Sequence, residues 1–233
     1  MVALARAYLG PQSTLDGIRS IHYVGTLDRI DPNRGETVPV HATLDLILVK
    51  PMRQRLVARG TAATMTTVLD GYEAWDLLRD NADPAKFRLR WLPAADVKTL
   101  RANTWENLSY YRVPEGGSIE DKGPATVDGV VCERVDFVHG PGSAYERYFD
   151  RDTGRLMLTV RGPETFRESG EIRVEGVRFP RTIVSRTKTS SGKEIVSTAT
   201  FESVVLNEAI PPGLFAAPDL PTARTSAAGA TGK

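Results

Sequence analysis

The side chains that most often do chemistry in proteins are scattered along this sequence. The three histidines, His22, His41 and His139, show neither His-x-x-x-His nor Glu-x-x-His spacing, which argues against a transition-metal site. The sequence contains no Gly-x-Ser-x-Gly nucleophile elbow and no glycine-rich phosphate-binding loop. Its single cysteine, Cys132, excludes an internal disulfide and a multi-cysteine zinc site. We therefore expect no enzyme, no metal site and no cofactor.

One acidic segment, Asp150-Arg-Asp-Thr-Gly154, begins like a calcium-binding loop. It lacks the later acidic ligands that complete the coordination of Ca²⁺. Asp and Gly at this spacing are typical of tight turns, because Asp accepts hydrogen bonds from the backbone and Gly adopts a positive φ. The segment therefore predicts a turn between two strands.

Lys50 has the most informative position of the charged residues. It follows Leu44, Leu46 and Leu48 on the same face of a predicted strand, since side chains alternate between the two faces. A lysine at the end of an apolar stripe can extend its amine to water. It can also be the polar group of an otherwise apolar ligand pocket. The residues alone leave both interpretations open.

The composition indicates a folded protein. The chain has 233 residues, of which 41% are hydrophobic and 25% are charged, enough for one large domain with a sizeable core. Its 30 Lys and Arg residues nearly balance its 29 Asp and Glu residues, which argues against a dedicated nucleic-acid binder. No apolar run approaches the roughly 18–20 residues that span a bilayer. The N-terminus lacks the apolar core of a signal peptide.

Period-two alternation of apolar residues predicts a chain of antiparallel hairpins. The short turns between the segments leave no room for crossover helices, so parallel pairing is excluded. The predicted strands include 43–50, 53–59, 64–69, 130–138, 145–149, 156–160, 171–174, 181–187 and 194–205.

Helical periodicity is confined to the first 20 residues and to the segment 94–111. About ten consecutive antiparallel strands cannot stay flat, because strand twist accumulates and large sheets curl. The sequence therefore predicts a mainly β (α+β) fold, a strongly bent antiparallel sheet with helices covering the concave side. These helices either fill the inside completely or leave an apolar cavity.

Several segments, in this order along the chain, resemble the LolA/LolB-like outer-membrane lipoprotein-sorting proteins. The resemblance spans roughly residues 13–218. It rests on Ser20-Ile-His-Tyr-Val-Gly-Thr26, Leu46-Ile-Leu-Val-Lys-Pro51, Leu69-Asp-Gly-Tyr-Glu-Ala-Trp75, Phe149-Asp-Arg-Asp-Thr-Gly154, Gly176-Val-Arg-Phe-Pro180 and the closing 207–218.

The resemblance implies an incompletely closed antiparallel β-barrel, covered by helices, whose apolar cavity takes the acyl chains of lipoproteins across the periplasm. In the carrier branch of the family, an arginine directly before the strand-breaking proline faces the cavity and holds the helical lid. Lys50 occupies that place here. Lysine keeps the charge but lacks the planar, bidentate fork of arginine.

A cavity on the face of Lys50 defines a set of candidate ligand-binding residues. They come from the leucine strand, from the strand joined to it at Pro51, from the next two strands and from the central helix. The candidates are Leu44, Leu46, Leu48, Lys50, Met52, Leu56, Met65, Trp75, Leu77, Leu100, Trp105 and Leu108.

Two functional hypotheses follow. The first is a non-enzymatic periplasmic binding or carrier protein for lipid or acylated lipoprotein, whose signal peptide is not part of this sequence. The alternative is a structural or regulatory docking module of the cell envelope, with a filled half-barrel and another envelope protein as its partner. For either, we expect a monomer that binds no nucleic acid, with a domain over 1–218 and a disordered tail over 219–233.

Overall fold

The structure is a computed structural model that describes residues 1–35 and 40–218. It is mainly β, as predicted. The strands are β1 (Ser20–Ile30), β2 (Val40–Val49), β3 (Arg53–Gly60), β4 (Ala63–Asp70), β5 (Glu73–Asp80), β6 (Phe87–Trp91), β7 (Ser118–Val127), β8 (Val130–Gly140), β9 (Ser143–Asp150), β10 (Leu156–Arg161), β11 (Glu164–Ser169), β12 (Ile172–Val174), β13 (Val177–Phe179), β14 (Thr182–Lys188) and β15 (Glu194–Leu206). The helices are α1 (Val2–Leu9), α2 (Gln12–Gly17) and α3 (Ala94–Leu108), with short 3₁₀ helices at Pro32–Arg34 and Pro212–Phe215.

Within the described residues, thirteen strands form one antiparallel sheet in the order β6-β5-β4-β3-β2-β1-β15-β14-β11-β10-β9-β8-β7. β12 and β13 form a separate hairpin. β1 pairs with β15, which joins the first and last strands of the chain at the middle of the sheet. The sheet ends at β6 and β7 and is not closed. The predicted bent, incompletely closed barrel with helices is therefore confirmed.

Helix α3 connects the two ends of the sheet and packs against β2 and β4 on the inner side. Thr104 of α3 donates a hydrogen bond to Gln54 of β3 over 3.1 Å, and both side chains are buried. The helix was predicted to continue to residue 111, but it ends at Leu108. Tyr110 and Tyr111 follow in the left-handed region, with φ of 50° and 65°. This turn directs two buried tyrosines into the interior.

The acidic segment between β9 and β10 is a tight turn, as predicted. The Asp150 carboxylate accepts hydrogen bonds from the backbone N–H groups of Asp152 and Thr153, over 2.9 Å and 3.2 Å. Gly154 ends the turn with φ of +75°, and a Cβ there would lie 2.6 Å from the backbone of Leu4. Glycine is needed because α1 packs directly on the turn.

Buried apolar residues lie on both faces of the sheet. The inner cluster joins α2, α3 and the concave face, and includes Leu15, Ile21, Tyr23, Leu44, Leu48, Leu108, Phe179 and Phe201. The outer cluster comprises Ile47, Val68, Trp75, Leu77 and Phe215. Phe215 belongs to the second 3₁₀ helix, so the C-terminal segment covers the convex side of β2 to β5.

No helix in the described ranges is long and apolar enough to cross a membrane. The predicted domain over 1–218 stays a prediction. The predicted tail over 219–233 lies outside the described residues.

Candidate ligand cavity

The inner face of the sheet follows from the strand register. Residues directly opposite each other on antiparallel strands point to the same side. Leu46 of β2 lies opposite Tyr23 of β1 and Leu56 of β3, and Leu44 lies opposite Ala58. Tyr23 and Leu44 belong to the inner cluster, so these leucines face the concave side.

A cavity of about 250 Å³ lies between this face and helix α3. Its inner surface is mainly apolar and comes from strands of both halves of the sheet, which also contribute the polar residues Arg147, Thr159, Glu168, Ser185 and Ser197. The apolar lining residues are Leu27, Leu44, Leu46, Leu56, Phe166, Ile183, Ala199 and Phe201. Helix α3 contributes Asn103, Glu106 and Asn107. An apolar pocket with a few polar groups is the usual form of a small-molecule site.

Two further compartments extend this cavity towards α1. One, of about 120 Å³, shares Leu46, Glu106 and Phe201 with the first compartment. The other, of about 330 Å³, adjoins the second at Tyr111 and Phe179. The helices therefore do not fill the half-barrel completely. Below, "the cavity" means these three adjoining compartments.

A triad of polar and charged side chains, Glu106, His139 and Arg147, lies at one wall of the cavity. The Arg147 guanidinium is 2.6 Å from Glu106, and His139 Nε2 is 2.6 Å from the other oxygen of the same carboxylate. The side chains of Glu106 and Arg147 are 2% and 8% exposed. The Arg147–Glu106 contact is an ion pair without the alignment of a good hydrogen bond. This triad links α3 to β8 and β9.

Aromatic rings enclose the arginine of this triad. The guanidinium carbon of Arg147 is 4.8 Å from the ring centre of Tyr111 and 4.9 Å from that of Phe137. Cation–π contacts of this kind stabilise a desolvated cation. The triad therefore lies in the protein interior, and together with the ring of Tyr111 it connects α3, the segment after α3 and strands β8 and β9.

Glu168 of β11 lines all three compartments. Its side chain is solvent-accessible although protein surrounds it, because its accessible surface faces the cavity. Burial raises the pKa of this carboxyl group, and the positive charge of Arg147 only partly opposes that shift.

Of the twelve predicted ligand-binding residues, Leu44, Leu46 and Leu56 line the cavity. Leu48 and Leu108 are buried beside it in the inner cluster. Met65 lies on the inner face, opposite Ala58, and is half-buried.

Three other predicted residues form a separate packed group. Met52 is buried with Leu69, Ala74 and Val97, and Leu100 and Trp105 pack against them. This group fills the space between α3 and β4–β5. The face assignment of Met52 and the covering role of Leu100 and Trp105 therefore stay predictions.

Lys50 lies at the rim of the half-barrel, near α2. Partial burial lowers the pKa of its amine, and the nearby positive charge of Arg112 lowers it further, whereas Asp16 of α2 opposes this. Asp16 is itself paired with Arg6 over 2.9 Å. The charged link between α3 and the opposite wall is made by Glu106 and Arg147, and not by Lys50 at the rim.

Trp75 and Leu77 correct the predicted site. Trp75 lies opposite Val68, which lies opposite Arg55. Both Trp75 and Leu77 therefore point to the convex face, where they pack in the outer cluster. The Trp75 indole N–H donates a hydrogen bond to the Phe215 carbonyl over 3.3 Å. The error arose because β5 carries apolar residues on both faces.

Sequence reasoning missed three charged residues that line the cavity, Glu106, Arg147 and Glu168. A signal for two of them was present. Arg147 alternates with Tyr145 and Phe149, and Glu168 follows Phe166 at a spacing of two. A charged residue on the aromatic face of a strand is unusual, because such faces are normally buried.

Comparisons with known proteins support the fold. No protein-family model matches the sequence, and a search of curated proteins finds no match. Among solved structures, a LolA superfamily protein from Nitrosomonas europaea is similar at a TM-score of 0.56 and 12% identity, covering 91% of this chain and 97% of that one. A DUF1329 family protein from Desulfovibrio piger has a TM-score of 0.56 at 9% identity, covering 92% and 95%.

A putative outer membrane lipoprotein-sorting protein domain from Vibrio parahaemolyticus is also similar, with a TM-score of 0.56 at 6% identity, covering 92% of this chain and 95% of that one. Such likenesses cover nearly the whole chain at very low identity. The chain therefore has a LolA-like fold, as the resemblance predicted.

Proposed function

We propose that this protein is a non-enzymatic binding or carrier protein of the periplasm that holds the acyl chain of a lipid or lipoprotein in its cavity. The observation that carries the proposal is the first compartment of the cavity, a mainly apolar space between the leucine face of β2–β3 and helix α3. The LolA-like fold supports it, because one similar structure is described as an outer membrane lipoprotein-sorting protein domain.

The energetics favour an acyl chain as the occupant. Each methylene group transferred from water to apolar surroundings contributes about 0.8 kcal/mol before ordering costs. Leu46 and Leu56 are half-buried without a ligand, so their remaining surface is available to be covered. A chain of roughly a dozen carbons would therefore bind appreciably through apolar contact alone.

Binding of a neutral amphiphile tests this proposal. N-phenylnaphthylamine, a neutral dye that fluoresces in apolar surroundings, is titrated into the protein and then displaced with monododecanoylglycerol. We expect saturable fluorescence and full displacement. Leu46→Glu places a charge among apolar lining residues and should weaken binding at least tenfold, since about 1.4 kcal/mol is enough for that change.

Two further variants make the result specific. Val131→Glu introduces the same side chain on β8 at an exposed apolar position and should leave binding unchanged. Ala199→Trp fills the cavity with an aromatic ring and should also block the dye, which guards against misfolding of Leu46→Glu. If the folded wild type binds no dye and no lipid, the proposal is wrong and the docking-module hypothesis takes its place.

A further inference from the structure

Among the described residues, Glu168 is the carboxylate lining the cavity that forms no ion pair. Glu106 is engaged by Arg147. Arg178, at the α1 end of the cavity, is engaged by Glu171. Across residues 1–35 and 40–218, no donor lies within hydrogen-bond distance of the Glu168 carboxylate. Arg155 lines the same end of the cavity, so three carboxylates and three guanidinium groups line the three compartments, and Glu168 is the carboxylate without a contacting partner within the described ranges.

Aromatic rings lie around this carboxylate. Its negative charge contributes to raising the pKa of Tyr23 and of Tyr111, after the larger effect of burial, so both phenols are within electrostatic range. The ring of Tyr23 packs against Phe201 with the centroids 4.6 Å apart and against Phe179 at 6.0 Å. These aromatic side chains line the same compartment as Glu168.

A carboxylate beside aromatic rings suits a cationic group. The carboxylate attracts the charge directly, and aromatic faces attract cations through their quadrupole. An anionic headgroup beside Glu168 would meet repulsion from its carboxylate. The cation Arg155 lines only the compartment of about 330 Å³, which Leu46 does not line, and Arg147 faces Glu106 at 2.6 Å. The leucine wall consists of Leu44, Leu46 and Leu56. Leu46 lines two compartments together with Glu168, so a headgroup and a chain can be accommodated side by side.

We propose that the cavity selects an amphiphile with a cationic, ammonium-type headgroup, such as an aminolipid, which pairs with Glu168 while its chain lies on the leucine wall. This inference rests on the proposed lipid-binding function and specifies the class of ligand. It assigns Glu168 the role of a specificity-determining residue.

Displacement of N-phenylnaphthylamine by three dodecyl amphiphiles tests the inference. The competitors are dodecylammonium, dodecanoate and the neutral monododecanoylglycerol, each used below its critical micelle concentration. In the wild type we expect dodecylammonium to displace the dye at an about tenfold lower concentration than dodecanoate, which corresponds to about 1.4 kcal/mol. In Glu168→Gln this ratio should fall to about one, with displacement by the neutral amphiphile unchanged.

Matched variants assign the effect to this carboxylate. Glu73→Gln makes the same change in net charge at the exposed first residue of β5, and it should keep the wild-type ratio. Glu168→Asp keeps the charge and should retain part of the preference, which covers the case in which Glu168→Gln fails to fold.

The outcomes separate the two proposals. If none of the amphiphiles displaces the dye, or the dye does not bind, the lipid-binding function itself fails. If monododecanoylglycerol binds but dodecanoate equals or exceeds dodecylammonium, the function stands and the cationic headgroup is wrong. A preference that persists in Glu168→Gln also overturns the assignment, because another group must then supply it.

Discussion

Strands β2 to β5 carry apolar side chains on both faces, and the two faces meet different surroundings. On the inner face, Leu46 and Leu56 line a cavity and stay half-buried. On the outer face, Val68 and Trp75 are buried under Phe215 of the C-terminal 3₁₀ helix. The chain itself closes one face, whereas the other leaves room for a ligand.

The difference shows that residue type does not distinguish a core from a binding surface. Leucine and other apolar residues occupy both faces, and both are hidden from bulk solvent to a large degree. What differs is whether another part of the chain packs closely on the face. Four predictions test this comparison, from the largest expected effect to the smallest.

Removing the Phe215 ring, which covers the outer face, should have the largest effect on stability. Phe215 is 2% exposed, and Phe215→Ala leaves a cavity over Val68 and Trp75. We expect a loss of about 3–5 kcal/mol in the free energy of unfolding, or a melting temperature lowered by roughly 10 °C at this chain length. Dye binding at low temperature should be unchanged. Lost binding in a folded variant would show that the outer face takes part in the site.

The second largest loss of stability is expected when the triad of the inner face is broken. Glu106→Gln leaves Arg147 buried without its counter-ion, so we expect a loss of about 3 kcal/mol in urea unfolding. Glu146→Gln, on the same strand as Arg147, removes a more exposed partner of Arg134 and should cost less than about 1 kcal/mol. Equal losses would mean that the triad contributes no more than a surface ion pair.

A matched pair of leucines compares the two faces directly. Leu77→Ala removes a buried side chain of the outer cluster and should lower stability by about 2–3 kcal/mol. Leu56→Ala removes a half-buried cavity residue and should lower it by only about 1 kcal/mol, because part of its surface is not packed. Dye affinity should fall in Leu56→Ala and stay constant in Leu77→Ala. The reverse pattern would exchange the roles of the two faces.

The smallest effect is expected at Glu168 without ligand. Burial raises the pKa of this carboxyl, so the folded state binds its proton more tightly than the unfolded state does. The stability that this gives is present in acid and is lost as the pH rises through the folded pKa.

Glu168→Gln has no carboxyl group to titrate, so the variant does not lose this stability as the pH rises. At neutral pH the variant should therefore be slightly more stable than the wild type, by no more than about 1 kcal/mol because the cavity is open to water. The difference should vanish below the unfolded pKa, near pH 4. Thermal melts from pH 4 to pH 8 measure it, and a variant that is less stable at pH 7 would show that Glu168 is compensated in the empty cavity.

Part of the cavity was predictable from local pattern. Leu44, Leu46 and Leu48 alternate on β2, and the tight connection at Pro51 fixes where β3 places Leu56 opposite them. Alternation and hairpin register are local properties, since they depend on residues close in sequence. The same reasoning failed at β5, where apolar residues occur on both faces and alternation gives no direction for Trp75.

The amino-acid sequence by itself determined the mainly antiparallel fold, its bending and its helical cover, because hairpin turns and strand twist act between neighbours in the chain. Tertiary structure alone decided which apolar face is a core and which is a cavity. The Trp75 indole is paired with Phe215, 140 residues away, and Glu106 of α3 meets Arg147 of β9 only after the sheet has bent. Such contacts depend on the closure of long loops, so no local pattern encodes them.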